Sequence, residues 1–201
     1  MPIKLKEREY RAGAQFTYEA DEADEAKLSL RGMPIVFERP TVMFEADGVQ
    51  YFEVIARGAL DNTDVSDFIF NRNHGMNDST VFARSSNGSL KHNVTSEGVS
   101  VDIALDIEDE RHKNLHRDIQ SGRINRMSFS FKVLEQSYNP ETRTRKILKI
   151  KKLYDVSAVD FPAYNDTFIS TQRDFFSLEH EKEKMAELDQ ARQRLILLTL
   201  L

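Results

Sequence analysis

Between residues 27 and 161 the chain is written in a two-residue rhythm. "KLSLRGMPIVF", "VQYFEVIARGAL", "VSVDIAL", "INRMSFSFKVLEQSY" and "KILKIKKLYDVSAVDF" each alternate apolar with polar side chains. That is the period of strands with one face in a core. Turn residues break the runs at Asn87-Gly88, Glu97-Gly98 and "NPETR" (139–143), where hairpins need unusual backbone angles. Over 81–105 the pattern predicts a three-stranded meander, with Val99, Val101, Ile103 and Leu105 on the core face.

Two segments change period. In "DIEDERHKNLHRDIQSGR" Leu115 and Ile119 stand four apart, acids fill the first turn and Gly122 follows, which predicts a helix of about three turns. From Phe175 through Leu178, Met185, Leu188, Ala191, Leu195 and Leu198 the spacing is three, four or seven, predicting an amphipathic helix over roughly 174–200. Such a helix either docks on its own domain, or pairs with a partner or with a second copy to give a homo-oligomer. The acidic run "EADEADEA" (19–26) has too few large apolar residues to bury. The expected organisation is a flexible arm over 1–26, one domain over 27–172 and a helical segment over 173–201. The expected class is mainly β with helices (α+β), a β-barrel or sandwich decorated by helices.

Charge and composition narrow the function. A formal charge of −5 provides no basic field, so nucleic acid is not an expected partner. Without cysteine there is no thiol nucleophile and no cysteine zinc site, so catalysis must use serine, histidine or carboxylates. The first sixteen residues have no apolar h-region, and the longest apolar run, "LILLTLL" (195–201), is too short to span a bilayer. A soluble intracellular protein is expected, without membrane, metal or cofactor.

"MSFSF" (127–131) carries the sharpest chemical question. Met127, Phe129 and Phe131 must face the core, which leaves Ser128 and Ser130 accessible on the other face, as a nucleophile or as an ordinary solvated surface. A serine hydroxyl becomes a good nucleophile only beside a base. His74, in "FNRNHGMND" at the end of an apolar strand, could project into a cleft or could be a plain loop histidine. In "LYDVSAVDF" the alternation sets Leu153, Asp155 and Ser157 on one face and Tyr154, Val156 and Ala158 on the other. Asp155 is then either an exposed edge carboxylate or one that has a partner, since burying it alone costs several kcal/mol. Glu108, His112 and His116, at i, i+4 and i+8, form a competing constellation for a metal or simply a solvated helix face.

The order of these motifs resembles the capsid-maturation (prohead) serine proteases of tailed bacteriophages, whose fold is related to the herpesvirus assemblins. The likeness runs from about residue 28 to 170 and rests on Asn73-His74 after an apolar strand, the glycine hairpin and strand at 87–105, and a helix ending at Ser121-Gly122. "RMSFSF" is similar to the family's "GMSFGF", and "LYDVSAVDFPAYNDT" to its L-x-E-V-S-x-V-x-x-P-A-Y-x-x-T. The resemblance implies a closed or nearly closed antiparallel barrel of the herpesvirus-protease type. It implies a serine endopeptidase with Ser128 as nucleophile, His74 as base and Asp155 as the orienting residue. Ser130 stands where the family has glycine, Asp155 where it has glutamate, and "FPAYNDT" lacks the arginine that the herpesvirus enzymes use near the oxyanion, so no oxyanion donor is named. Implied substrates are scaffolding protein or extensions of the major capsid protein, and the enzyme itself, inside the immature capsid in the host cytoplasm. The alternative is a catalytically inert capsid- or scaffold-associated protein of the same fold.

Overall fold

The computed structural model describes residues 8–17, 28–76, 80–160 and 170–199. The acidic run 19–26 and the "PAYNDT" segment (162–167) lie outside the described residues. The elements in chain order are β1 (Glu9–Thr17), β2 (Leu28–Val36), β3 (Thr41–Ala46), β4 (Val49–Ile55), β5 (Ile69–Arg72), β6 (Val81–Arg84), β7 (Leu90–Val94), β8 (Gly98–Leu105), α1 (Glu110–Gln120), β9 (Arg126–Asn139), β10 (Thr144–Val159) and α2 (Ser170–Thr199). The molecule is therefore α+β and mostly strand. Neither described helix is long and apolar enough to cross a membrane.

The strands run in the order β3-β4-β10-β9-β1-β2-β8-β7, with β5 beside β10 and β6 beside β5. The path is open: among the described residues no pairing joins β3 to β7, so the closed antiparallel barrel that the resemblance implies is not found. Nor is the sheet purely antiparallel. β10 pairs in parallel with β4 over 144–147 and with β5 over 155–158, so one long strand carries two shorter ones along the same edge.

Two other expectations need revision. Residues 9–17, assigned by composition to an arm, are a strand paired with both β9 and β2. The expected meander is only a hairpin of β7 and β8, because β6 pairs with β5 instead. The face alternation of β8 holds: Val99, Val101, Ile103 and Leu105 join the core with Leu115 and Ile119 of α1. Asp109 caps α1 by accepting from the Arg111 amide at 2.8 Å, and Gly122 ends it with φ 74°.

Gly98 begins β8 against the bulge of β2. A Cβ built there would stand 2.0 Å from the Ile35 carbonyl oxygen, which is backbone and cannot step aside. Gly98→Ala is expected to cost about 3 kcal/mol, the scale of a forced overpacking, read as a drop in the urea midpoint with activity per folded molecule unchanged.

β1 is held by buried charge. Glu9, Arg11, Glu53 and Arg145 come from β1, β4 and β10, and all are at most 3% exposed. Arg11 Nη2 donates to Glu9 Oε2 and Glu53 Oε2, each at 2.6 Å, and Arg145 Nη1 to the same two oxygens at 2.9 and 3.0 Å. Two cations and two anions cancel, and Arg11 and Arg145 also lie over the Phe131 and Phe175 rings, at 5.0 and 5.2 Å. Burial alone would push the Glu9 carboxyl up, but the charges and hydrogen bonds of Arg11 and Arg145 outweigh it and hold it at about 2.

Candidate active site

The pairing of three neighbouring strands lays the chemistry out in two rows. Asn71 of β5 is opposite Ser157 of β10, and Ser157 opposite Ser128 of β9. One step along, Asp155 is opposite Ser130, which is opposite Tyr10 of β1. Paired residues share a face, so the polar side chains gather above the sheet while Met127, Phe129 and Phe131 enter the core below it.

The alternation of β10 is interrupted at Tyr154. Leu153 pairs with Phe131 and Asp155 with Ser130, so one extra residue is inserted on β10. This β-bulge sends Leu153 into the core, on the face opposite to Asp155, and brings Tyr154 to the polar side, where the Arg8 guanidinium lies 5.0 Å from its ring centre. The simple two-residue period predicts the reverse for both residues.

His74 reaches the rows from a turn. β5 ends at Arg72, and Asn73, His74 and Gly75 all take positive φ (47°, 57° and 70°), curling the chain back over β10. Non-glycine residues enter this region at a cost, so the surroundings must hold it. Asn73 Nδ2 donates to Asp160 Oδ2 at 2.9 Å, the Asp160 amide donates to Asn73 Oδ1 at 3.2 Å, and Arg72 Nη2 donates to Asp160 Oδ1 at 2.8 Å. Asn73→Ala loses this tether and puts a Cβ residue with no local hydrogen bond in the left-handed region, costing about 1–2 kcal/mol. It should also lower kcat about tenfold by loosening the imidazole. Asn73→Gly, which loses the tether but relieves the backbone, should regain the stability and not the rate, as urea melts and initial rates will show.

His74 Nε2 stands 2.7 Å from Ser128 Oγ and His74 Nδ1 2.6 Å from Asp155 Oδ1. The Ser157 hydroxyl donates to Asp155 Oδ1 at 2.8 Å, bonds the Asn71 side chain, and lies 3.0 Å from His74 Nδ1. The backbone amide of His74 donates to Ser157 Oγ at 3.3 Å. Ser130 donates to Asp155 Oδ2 at 2.5 Å, and Arg8 bonds the same carboxylate oxygen and Ser130 Oγ. The edge of one ring of the Tyr10–His74 pair meets the face of the other, with centroids 4.7 Å apart.

These contacts separate the two serines of "MSFSF". Ser128 faces the imidazole nitrogen that can take its proton, whereas the Ser130 proton is directed to a carboxylate already engaged by Arg8. Neither serine is accessible as the alternation predicts; both are 0% exposed, like Asp155 and Ser157, because the polar face is covered by the His74 turn and by the side chains of Arg8 and Tyr10. The Ser128 hydroxyl also lies 2.8 Å from the Arg11 carbonyl, so its single proton has two acceptors. With the ring proton on Nδ1 and donated to Asp155, Nε2 can accept from Ser128. Burial raises the Asp155 carboxyl, but the His74 bond and charge, then Ser130 and Arg8, bring it below its ordinary value, so it is a carboxylate at neutral pH.

The helix histidines are occupied elsewhere. His112 Nδ1 accepts the Asp106 amide at 2.9 Å and its ring packs on Phe82, while burial lowers the His116 pKa. Among the described residues no three metal-ligating side chains converge. Ser157, Asn71, Arg8 and Tyr10 were not singled out from sequence. Ser157 had a signal, two residues after Asp155 in one strand and so on its face; Arg8 had none, since 147 positions separate it from Asp155.

This site can move a proton from a serine hydroxyl to an imidazole whose far nitrogen is held by a carboxylate, the requirement for acyl transfer by a serine hydrolase. No curated protein and no solved structure matches the chain. The family model of the caudovirus prohead serine protease matches residues 14–183, most of the chain and both strands that carry Ser128 and Asp155. The chain belongs to that family, the serine peptidases that act on capsid proteins in the maturation of tailed-phage heads.

Proposed function

We propose that the protein cuts scaffolding protein or scaffold-like extensions of the major capsid protein inside the immature capsid in the host cytoplasm, and trims itself, with Ser128, His74 and Asp155 as the catalytic residues. The supporting observation is the 2.7 Å approach of His74 Nε2 to Ser128 Oγ with Asp155 on the other ring nitrogen. Ser128 Oγ attacks the scissile carbonyl carbon while its proton passes to His74 Nε2. The imidazolium then gives that proton to the leaving amine as the peptide C–N bond breaks, leaving an acyl-serine. Water, deprotonated by the same nitrogen, attacks the ester, and the proton returns to Ser128 as the acid product departs. Asp155 keeps the ring in the productive tautomer and stabilises its cationic form, and the Ser130, Ser157 and Arg8 contacts fix the carboxylate.

The test has two parts. Purified protein treated with a fluorophosphonate probe should carry one adduct, located by peptide mass spectrometry on Ser128; labelling of Ser130 instead would move the nucleophile. Co-expression with scaffolding and major capsid proteins should shorten one or both, and the chain itself, over hours, with none of this in Ser128→Ala. Intact substrates beside a labelled Ser128 would leave a serine peptidase but remove the proposed substrates.

A further inference from the structure

The strand that carries Arg11 delivers a second arginine to the other side of the sheet. In "REYR" (8–11) alternate side chains point opposite ways. Glu9 and Arg11 enter the buried four-charge cluster, which pins the start of β1. Arg8 and Tyr10 are thereby placed on the face of the candidate site, Tyr10 against the His74 ring and Arg8 on the Asp155 carboxylate. Both precede residues 14–183, which the family model matches, so this part of the site is an addition to what family membership describes.

The Arg8 guanidinium bonds Asp155 Oδ2 and donates from Nε to Ser130 Oγ at 3.0 Å. Its Cζ lies 5.4 Å from the Tyr10 ring centre and 5.0 Å from that of Tyr154, so two aromatic rings help to hold it. The Arg8 side chain is 37% exposed and that of Asp155 0%. A carboxylate shut off from water needs a countercharge. Among the described residues two basic groups touch Asp155, Arg8 at Oδ2 and His74 at Oδ1, and His74 supplies a charge only by taking a proton on Nε2 as well. A ring protonated there cannot accept from Ser128. Against that ring stand Asp155 and Ser157 of β10, Ser128 of β9 and Tyr10 of β1, none of them a cation. Other cations nearby have carboxylates of their own: Arg72 pairs with Asp160 at 2.8 Å, and Lys152, 6.0 Å from the Tyr154 ring centre, with Asp64 at 2.9 Å.

We infer that Arg8 is a positioning residue for the reaction: it fixes Asp155 through Oδ2 and supplies the countercharge that leaves His74 Nε2 open to the Ser128 proton. The inference rests on the proposed roles of Ser128, His74 and Asp155, and adds to them a residue that acts through the carboxylate.

Labelling of Ser128 by a fluorophosphonate needs the base but no peptide substrate, so its rate on the full chain, per folded molecule from urea melts, is the readout. Arg8→Met removes the charge and keeps an unbranched side chain. It should label about tenfold more slowly than the unaltered chain at pH 8, since the carboxylate is less well held. That deficit should widen by about threefold or more at pH 6, because an uncompensated Asp155 favours the protonated ring; water around the half-exposed guanidinium keeps the effect modest. Arg8→Lys keeps the charge and loses the planar fork, so it should be slowed by one factor at both pH values. A deficit in Arg8→Met that is equal at pH 6 and pH 8, the mark of a residue that only anchors β1, overturns the inference, as does a widening deficit in Arg8→Lys. An unaltered chain that takes no label on Ser128 overturns the catalytic assignment itself, and the inference with it.

Discussion

Ser128→Ala is expected to reduce peptide cleavage by about 10⁴- to 10⁶-fold, and His74→Ala by a comparable factor, because each removes one end of the proton transfer that activates the hydroxyl. Ser130→Ala is the decisive companion. It deletes one hydrogen bond to Asp155 Oδ2 but leaves Arg8 on that oxygen and leaves the Ser128–His74 contact intact, so a loss of about tenfold or less is expected. Asp155→Asn should cost about 10⁴-fold, since the amide can present an N–H to His74 Nδ1 and so favour the unproductive tautomer. Initial rates on one peptide substrate rank the four variants. An active Ser128→Ala with a dead Ser130→Ala would reverse the assignment of the two serines.

The second large effect is on stability. Arg145→Met leaves two buried carboxylates, Glu9 and Glu53, sharing the single cation Arg11, and removal of one partner from such a buried ionic cluster costs about 3–5 kcal/mol. The urea midpoint should fall accordingly. Activity should fall faster than the folded fraction, because Arg11, the other cation, lies on β1 where it pairs with β9, and its carbonyl touches Ser128. Replacing all four charged residues with apolar ones of similar size should cost far less, since no charge is then left unpaired. A full-strength Arg145→Met protein would mean that water reaches the cluster. Acid should imitate the mutation. The Glu9 carboxyl is lower in the folded protein, about 2, than its ordinary 4.5, so its stabilising contribution is complete above pH 4.5 and is lost as pH falls toward 2. Asp155, also lowered, adds a loss of the same sign. Thermal melts between pH 6 and 2 should show the decline, and a chain with Glu9→Gln should decline less steeply from a lower starting point.

Much of the local structure is readable from single segments. The strand character of 99–105 and 126–133, the core face of "MSFSF", the helix from Glu110 to Gln120 with its cap and its glycine stop, and the long terminal helix all follow from spacing over a few residues. The motif order likewise pointed to the family that the chain belongs to. Other features were legible only in part. Alternation identifies a polar strand face, but it does not reveal whether that face meets water or other parts of the protein; Ser128, Ser130 and Asp155 lie under the His74 turn and the side chains of Arg8 and Tyr10. Nor does it announce the extra residue at Tyr154, because a bulge is a property of two paired strands.

By itself, then, the sequence determined the strand or helix character of most segments after Leu28, the core-facing side of β8 and of "MSFSF", and which residue types are available for chemistry. Those properties depend on near neighbours along the chain and on the period of the backbone. Tertiary structure alone decided that the sheet stays open, that β10 takes parallel partners, that Glu9 and Arg11 belong to a buried four-charge cluster, and that Arg8 reaches the carboxylate of Asp155. Each of these joins groups separated by tens to more than a hundred positions. Whether such groups meet is settled by the whole balance of core burial and strand register, and no local pattern encodes it.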